Sequence, residues 1–314
     1  MIVCVAASPS VDKLFEVDRV EVGRIHRPVA FVQVPGGKGL NVARTAHALG
    51  AEVRTTGFLG GHAGRWIQQA LAAEGVPGTF AWVEGETRAS LSVADGTDRG
   101  LTEFYERGAE IRPEAWGTLE TALGDLLPGA SWTTISGYLP PGAPDDAYAR
   151  LVELAHGHDV SVALDTRDEP LVMGISAGPD VVKVNAEEAA ALLGARVETL
   201  EEAVHAATEI RWRLDGRHRA TIVTRGAEGA VVVAPDGEVL QARLYERGRY
   251  PVGSGDAFLG GLVTGLDRGD GWHDALRLAL GAAAANAMVP GAGRLDPAAA
   301  IELASRATVE PVDG

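Results

Sequence analysis

Short runs of apolar residues alternate along this chain with longer segments in which apolar residues recur every three or four positions. The short runs predict β-strands near residues 1–7, 52–58, 132–136, 160–164, 180–184, 219–225 and 229–234. The longer segments predict helices near residues 39–49, 62–74, 113–126, 144–157, 199–213, 255–267 and 272–288. Because the strands are continuously apolar and helices separate them, we expect an α/β fold with a mostly parallel central sheet and helices on both faces.

Two stretches depart from this rhythm. Residues 15–22 and 89–93 alternate between apolar and polar positions, which is typical of half-exposed strands. Together with residues 99–106 they predict a small separate sheet. We therefore expect one α/β domain over residues 1–314, with a β-sheet lid formed discontinuously from about 12–34 and 87–106.

Composition narrows the function classes. Apolar residues make up 46% of the 314 positions, which is enough for a large core, and no long uncharged apolar run predicts a membrane span. The formal net charge of −15 argues against nucleic acid as a partner. The eight histidines lack metal-ligand spacing, and the one cysteine, Cys4, excludes an internal disulfide. These features predict a cytoplasmic protein.

The basic residues are 25 arginines and only three lysines. Two of those lysines, Lys38 and Lys183, stand in motifs that contain glycine or asparagine. An anionic substrate of so acidic a protein needs a local positive pocket. We therefore interpret these two lysines as candidate functional groups.

The segment Gly253-Ser254-Gly255-Asp256 is a small-residue turn that leads into an apolar helix pattern. The first turn of a helix has unpaired N–H groups and favours an anion such as a phosphate. Asp256 is placed to accept a proton from an attacking hydroxyl, as phosphoryl transfer requires. The alternative is that Asp256 only caps the helix.

A second glycine-rich turn, Gly36-Gly37-Lys38-Gly39-Leu40-Asn41, also enters a helix. It is not a P-loop, because Leu40 stands where that motif has a metal-binding hydroxyl. The functional interpretation is that Asn41 binds a ligand hydroxyl and Lys38 a phosphate. The structural alternative is a plain turn from strand to helix.

Two further motifs have both interpretations. Asn185 and Glu188 follow Lys183 and open a helix, so they can cap it or organise magnesium and its waters. Residues 224–229 join two apolar strands as a hairpin, or bring Thr224 and the Gly226 amide to nucleotide phosphates.

Two loops follow predicted strands at the edge where open α/β sheets bind ligands. One is Ser136-Gly137-Tyr138-Leu139-Pro140-Pro141-Gly142, in which the prolines can also merely stiffen the connection. The other carries Asp12 after the first strand, and an exposed loop aspartate is also common.

Taken in order, these motifs resemble the ribokinase/PfkB family of ATP-dependent sugar kinases. They are most similar to the branch that contains 1-phosphofructokinase and tagatose-6-phosphate kinase. The matching segments, which also include Thr87-Arg88, extend from about residue 12 to residue 256. Each motif is short, but the ordered set is specific.

The resemblance implies a ribokinase-like fold, ATP and Mg²⁺ as cosubstrate and metal, and a lid that pairs with a second subunit as a homodimer. In this family Asp256 would be the general base, and the amides of Gly253, Ser254 and Gly255 would stabilise the transferring phosphoryl group. The other implied roles form three sets: sugar hydroxyls would contact Asp12, Gly37 and Asn41; the phosphate on the sugar would contact Arg24, Lys38 and Arg88; the nucleotide and magnesium would contact Lys183, Asn185, Glu188 (through water), Thr224, Gly226, Gly229 and Asn286. A monovalent cation is common in the wider family, but no side chain here decides it.

Two departures fall on the acceptor side. Tyr138 stands where the branch has a serine that touches substrate, and Ser90 where it has an asparagine. The resemblance therefore implies a kinase that phosphorylates a hydroxymethyl group of a ketose phosphate. Fructose 1-phosphate is the first expectation, followed by tagatose 6-phosphate and fructose 6-phosphate.

Alternatives remain open at this point. One is a kinase of an unphosphorylated sugar or a nucleoside, and another is a catalytically idle sugar-phosphate sensor. A nicotinamide-binding protein is disfavoured because no Gly-x-Gly-x-x-Gly follows the first strand.

Overall fold

The computed structural model describes residues 1–97, 100–214 and 219–312. Residues 98 and 99, which belong to the segment from which we predicted the lid, lie outside the described residues. The described strands are β1 Ile2–Ala6, β2 Ser10–Val17, β3 Ala30–Gly36, β4 Val53–Gly60, β5 Gly78–Val83, β6 Ala89–Asp95, β7 Leu101–Tyr105, β8 Trp132–Ser136, β9 Ser161–Asp165, β10 Val181–Asn185, β11 Ala220–Thr224, β12 Ala230–Val233, β13 Val239–Arg243 and β14 Thr308–Pro311. The described helices are α1 Lys38–Ala48, α2 Gly61–Ala73, α3 Pro113–Leu126, α4 Ala147–His156, α5 Asp168–Ser176, α6 Ala186–Leu193, α7 Leu200–Arg213, α8 Ser254–Arg268, α9 Trp272–Met288 and α10 Pro297–Arg306.

Within the described residues, ten strands form one large sheet in the order β14-β13-β12-β11-β10-β9-β8-β1-β4-β5. The strands from β11 to β5 are parallel, and β12, β13 and β14 each run antiparallel to the preceding neighbour. The prediction of a mostly parallel sheet is therefore confirmed.

The core lies on both faces of this sheet, and β1 shows why its sequence is apolar throughout. Ile2 and Cys4 point to one face, where α1, α2, α8, α9 and α10 pack. Val3 and Val5 point to the other, where α3 to α7 pack. Since both faces of the strand are covered, no position of it can be polar without a partner.

Local sequence explains where three of the helices begin. Pro113 occupies the first turn of α3, where its missing N–H costs nothing. Both α6 and α7 begin with a reciprocal capping box, formed by Asn185 with Glu188 and by Thr199 with Glu202. The capping interpretation of Asn185 is thus confirmed.

A second, four-stranded sheet has the order β3-β2-β6-β7. It faces the carboxyl ends of the parallel strands of the large sheet. The strand predicted over residues 15–22 is wrong in position, because β2 spans Ser10–Val17 and residues beyond it leave the sheet. The separate sheet itself is present. The division of the chain into one domain and a discontinuous lid stays a prediction.

Of the helices in the described part of the chain, none is both long and apolar enough to cross a bilayer.

Candidate active site

A cavity of about 630 Å³ lies between the carboxyl ends of the parallel strands and the four-stranded sheet. Its walls come from the loops after β1, β8, β10 and β11, from the N-termini of α1 and α8, and from α9. This is where an open α/β sheet binds its ligands. The cavity brings together most of the residues that the sequence motifs predicted.

The turn before α8 forms an anion-binding loop. Gly253 precedes the helix in a left-handed conformation (φ 81°), and a Cβ atom there would lie 2.7 Å from the Cβ of Ala292. Both conditions require glycine. The first-turn N–H groups of α8 have no partner within the helix. That of Ser254 donates to the carbonyl of Pro251 at 3.1 Å, so the N–H of Gly255 is the donor that this turn offers at the cavity wall.

Asp256 is the third residue of α8 and is buried. The helix cap is Gly253, so the alternative that Asp256 caps this helix is wrong. Its Oδ2 accepts a hydrogen bond of 2.8 Å from Nδ2 of Asn41. Burial raises the pKa of Asp256 from 3.8 to about 7; Lys38 lowers that pKa and the charge of Asp165 raises it. A carboxyl with this pKa can exchange a proton near neutral pH.

Asn41 has one free acceptor. Its Nδ2 is used by Asp256, but its Oδ1 is buried and has no hydrogen-bond partner among the described residues. Buried polar atoms normally have partners. A ligand hydroxyl group in the cavity would satisfy this oxygen.

Two lysines share one buried carboxylate beside Asp256. Asp165, at the end of β9, accepts from Nζ of Lys38 at 2.9 Å and from Nζ of Lys183 at 2.6 Å. Burial opposes the ionisation of Asp165, yet the two ammonium groups hold its pKa below the ordinary value. Burial likewise opposes the charge on Lys38, but Asp165 and Glu188 outweigh it and raise the pKa of that lysine. The cluster therefore keeps two fixed cations beside the anion-binding loop.

Glu188 joins this cluster through its other oxygen. Its Oε2 accepts from the N–H of Asn185 in the capping box, while Oε1 lies 3.3 Å from Nζ of Lys38. Among the described residues, no three histidine, cysteine, aspartate or glutamate side chains converge as metal ligands.

The predicted nucleotide-side residues surround the other part of the cavity. β11 and β12 form the expected hairpin, with Gly226 (φ 56°) and Gly229 (φ 88°) in its turn. Asn286 on α9 is fully buried and holds the anion-binding loop, donating to the carbonyl of Val252 at 3.0 Å and accepting from the N–H of Gly293 at 2.8 Å. Its amide is thus used within the protein rather than at the cavity wall.

This part of the cavity is apolar. The small side chains of Ala283, Ala284 and Ala287 on α9 line it together with Leu244. Alanines on one helix face leave room for a flat ring without offering charge.

Asp12 stands at the opposite, polar part. It accepts from the hydroxyl of Ser10 and, at 3.4 Å, from the N–H of Gly37. A Cβ atom on Gly36 would lie 2.0 Å from Asp12 Oδ2, so glycine at 36 is what admits this carboxylate. Burial raises the pKa of Asp12, opposed by Ser10 and by the charge of Arg88.

Arg88 is buried near Asp12 and is bound by neutral oxygens. It donates to the hydroxyl and carbonyl oxygens of Ser8 at 3.1 and 3.2 Å, and to the hydroxyl of Ser90 at 2.9 Å. Its guanidinium carbon lies 5.2 Å from the ring centroid of Tyr138. No aspartate or glutamate of the described residues forms an ion pair with it. Ser90, a departure from the family pattern, thus orients Arg88.

Arg24 does not join this group. It lies in the segment between β2 and β3, its side chain is 74% exposed, and its nearest charged partner is Glu21 at 3.9 Å. Arg24 is not among the described residues that line the cavity. Its predicted contact with a sugar phosphate stays a prediction.

Sequence reasoning missed two residues that the fold brings to this site. Asp165 follows an apolar strand with no motif around it, and Arg167 lies two residues further in a short loop. The signal that points to both is their position after a strand next to β8, which only the strand order reveals.

The fold and this site define a class of protein: a ribokinase-like α/β kinase with a cleft covered by a small sheet. A solved structure named as a possible 1-phosphofructokinase from Thermotoga maritima superposes with a TM-score of 0.90 over all of both chains at 24% identity. Arabidopsis thaliana ribokinase with ribose and ATP superposes with a TM-score of 0.73 at 18% identity, covering 96% of this chain and 98% of that one. These likenesses show the fold.

Sequence comparison gives the family. Residues 5–299 match the model of the pfkB family carbohydrate kinases. A protein of Haloferax volcanii named 1-phosphofructokinase is 34% identical over 286 residues, which is 88% of each chain. The chain belongs to the PfkB family, and it is an ATP-dependent sugar kinase. The resemblance inferred from the ordered motifs is confirmed.

Proposed function

We propose that this kinase transfers the γ-phosphoryl group of ATP to a hydroxymethyl group of a ketose phosphate. Fructose 1-phosphate is the first candidate acceptor, followed by tagatose 6-phosphate and fructose 6-phosphate. The 34% identity to a protein named 1-phosphofructokinase supports fructose 1-phosphate as the first candidate.

The observation that carries the proposal is the buried cation at the polar part of the cavity. Arg88 is 6% exposed and has only neutral hydrogen-bond partners among the described residues. The charge of Asp12 acts on Arg88, but no carboxylate of the described residues bonds to the guanidinium, so an anionic ligand would supply the direct charge-assisted contact that is missing. A phosphate already present on the acceptor is such an anion, and a neutral sugar is not.

The catalytic step follows from Asp256 and its neighbours. Asn41 holds the carboxylate of Asp256 at 2.8 Å and leaves its own Oδ1 for an acceptor hydroxyl. Asp256 takes the proton of the acceptor's hydroxymethyl group. At the same time the oxygen of that hydroxymethyl group bonds to the γ-phosphorus of ATP, and the bond between the γ-phosphorus and the ADP oxygen breaks. The amide of Gly255 and the cations of Lys38 and Lys183 then face the charge on the transferring group.

Lys38 takes a different part here from the one its motif suggested. Its ammonium is fixed to Asp165 and Glu188, beside Lys183, rather than next to Arg88. We therefore assign Lys38 to the transferred phosphoryl group, and Arg88 to the phosphate that the sugar already carries.

ATP would lie between the hairpin turn at 226–229 and the alanine face of α9. Magnesium, when bound, neutralises the phosphate oxygens of ATP. Because Glu188 is already held by Asn185 and Lys38, it fits a contact with that ion through water rather than direct ligation. A monovalent cation is consistent with the potassium complex of Escherichia coli phosphofructokinase-2, a 24% identical structure with a TM-score of 0.88 over 97% of this chain and 98% of that one.

The proposal is tested by ADP release from ATP and magnesium across an acceptor panel. The panel contains fructose 1-phosphate, fructose 6-phosphate, tagatose 6-phosphate, fructose, ribose and a nucleoside. We expect turnover to be confined to phosphorylated ketoses. Turnover on a neutral acceptor alone would replace the proposal with the kinase of an unphosphorylated substrate.

The acid limb of the pH profile should report Asp256. Its pKa of about 7 means that the base is lost as pH falls, so kcat/KM should decline about tenfold per pH unit below 7. Lys38→Met should move this limb to higher pH, because Lys38 lowers the pKa of Asp256. Asp165→Asn should move it to lower pH, because the charge of Asp165 raises that pKa. We expect each displacement to be about one unit.

Because Lys38→Met and Asp165→Asn should displace the acid limb in opposite directions, each variant serves as a control for the other. General damage to the site lowers the rate of both but does not displace the two limbs in opposite directions. Limbs that stay at the same pH in all three proteins would show that another group titrates.

The lid also supports a homodimer. Large apolar side chains project into solvent from this sheet and the segment before β3, including Val22, Ile25, Phe31 and Phe104. Phe31 is on β3 and Phe104 on β7, the two edge strands. A cluster of exposed apolar side chains on a small sheet is typical of a protein–protein interface.

Phe31→Glu should therefore weaken self-association by at least about 2 kcal/mol, or about 30-fold in the dimer dissociation constant. Sedimentation equilibrium measures it directly. Trp212→Glu is the control, since Trp212 is a large apolar side chain that is also exposed, on α7 and away from the lid. Equal effects of the two substitutions, or a wild-type monomer, would contradict pairing through the lid.

A further inference from the structure

Two guanidinium groups contact the ring of Tyr138, and the proposed function gives a role to only one of them, that of Arg88. The central carbon of Arg88 lies 5.2 Å from the ring centroid, and that of Arg167 lies 5.5 Å from it. Both distances are within the range of cation–π contact. Tyr138 and Arg88 line the cavity, and the ring of Tyr138 brings the guanidinium of Arg167 next to that wall.

Neighbouring strands bring these residues together. Tyr138 follows β8 and Arg167 follows β9, and the two strands pair in parallel with Ser136 opposite Asp165. The N–H of Gly137 donates to the carbonyl of Asp165 at 2.8 Å, which ties the two loops to each other. The backbone two residues before Arg167 is thus fixed by the sheet.

The backbone after Arg167 is strained. Asp168 has a φ of 57°, one of two positive values among the described non-glycine residues. This left-handed conformation costs an L-residue about 1–2 kcal/mol, and such residues concentrate at functional sites. The strained turn leads from β9 to α5 directly after the arginine.

The charges around Tyr138 are unbalanced. Arg88 has no carboxylate ion-pair partner among the described residues, and Arg167 pairs with its neighbour Asp168 at 3.3 Å in an exposed contact. Exposed pairs of this kind contribute little. Two like charges beside one ring repel each other, and a dianion that reaches both would lower that repulsion.

We propose that Arg167 is a specificity-determining residue that supplies the second cation for the phosphate of the acceptor, with Tyr138 as the wall that holds both guanidiniums. This inference rests on the proposed function and identifies its acceptor subsite. The ligand is a phosphate monoester whose phosphate lies at Arg88 and Arg167 while its free hydroxymethyl group reaches Asp256. Arg88, buried, anchors the phosphate; Arg167, 57% exposed, binds it from the entrance.

The test compares kinetic constants of Arg167→Ala, Arg167→Lys and the wild-type kinase with fructose 1-phosphate and ATP. Arg167→Ala should raise KM for the sugar phosphate about 10- to 100-fold, with little change in kcat or in KM for ATP. Arg167→Lys should recover part of the affinity, because it keeps the charge but not the planar pair of donors. Arg150→Ala is the control: Arg150 is an ion-paired arginine on α4 of similar exposure, so it changes the net charge equally.

Binding of inorganic phosphate, followed by calorimetry, tests the subsite without turnover. Wild type should bind phosphate more tightly than Arg167→Ala by a similar factor, and Tyr138→Leu should weaken it while Tyr138→Phe does not. Equal phosphate affinity in wild type and Arg167→Ala would overturn the inference. A lower melting temperature of Arg167→Ala with KM unchanged would also overturn it, since Arg167 would then be structural.

The two proposals fail in different ways. A wild-type enzyme that phosphorylates only neutral acceptors contradicts the proposed function. An enzyme that phosphorylates fructose 1-phosphate with the same KM in wild type and Arg167→Ala retains that function and refutes the role of Arg167.

Discussion

Replacing Asp256 with asparagine should lower kcat roughly 10²- to 10⁴-fold and leave the affinity for ATP nearly unchanged. The amide keeps the shape of the side chain and can still accept the hydrogen bond from Asn41, but it cannot take a proton. The loss therefore falls on the chemical step. Single-turnover kinetics with saturating ATP and sugar phosphate measure this step, and equilibrium titration measures ATP binding.

The stability of this variant distinguishes lost chemistry from lost structure. The pKa of Asp256 is raised from 3.8 to about 7 in the folded protein, so the ionised carboxylate destabilises the fold above pH 7. This cost falls as pH drops from 7 towards 4, where the group is protonated in the folded state. Asp256→Asn should thus melt at a higher temperature than wild type at pH 8, and the difference should shrink at pH 5.

Asp270→Asn is the matched control, since Asp270 is exposed just beyond the other end of α8. It should leave both kcat and the melting temperature unchanged. Near-normal turnover by Asp256→Asn would refute the assignment of the general base.

Replacing Arg88 with alanine should reduce kcat/KM for a sugar phosphate by about 2–5 kcal/mol, which is about 30- to 4,000-fold. The reason is that this buried guanidinium has only neutral hydrogen-bond partners within the described part of the chain, so the ligand phosphate would be the anion that bonds to it directly. The same substitution should barely affect turnover of a neutral sugar. Steady-state kinetics with fructose 1-phosphate and fructose give the two values.

The neutral acceptor serves as an internal control for damage to the loop around Ser8. An equal loss on both acceptors would mean that Arg88 supports the structure instead of binding the phosphate. A negligible loss on the sugar phosphate would favour the kinase of an unphosphorylated substrate, with Tyr138 filling the acceptor site.

Several elements were predictable because their local chemistry is unambiguous. The strand at Trp132–Ser136 and the helix at Pro113–Leu126 have the predicted bounds, the first because it is rich in β-branched and aromatic residues and the second because proline marks its first turn. Short elements at the margins were missed, among them β13, β14 and α10. Their few apolar positions become a core face only against α9 and the neighbouring strands, which is tertiary information.

In the candidate site, too, some residues could be predicted from local sequence and others only from the fold. Asp256, Asn41 and Lys183 stand in glycine-rich turns or at strand ends, where local sequence suggests ligand contact, and the structure brings all three to the cavity. Asp165 and Arg167 carry no such pattern, because their importance comes from the pairing of β8 with β9. The predicted roles of individual residues remain predictions that the variants above test.

Phosphorus NMR of the product tests the central claim most directly. Wild-type enzyme with ATP, magnesium and fructose 1-phosphate should produce ADP and a second phosphomonoester resonance on the same sugar, in equal amounts. Asp256→Asn should give neither at a comparable rate. ADP accompanied only by inorganic phosphate, or no reaction with any phosphorylated ketose, would contradict phosphoryl transfer to a sugar phosphate at this site.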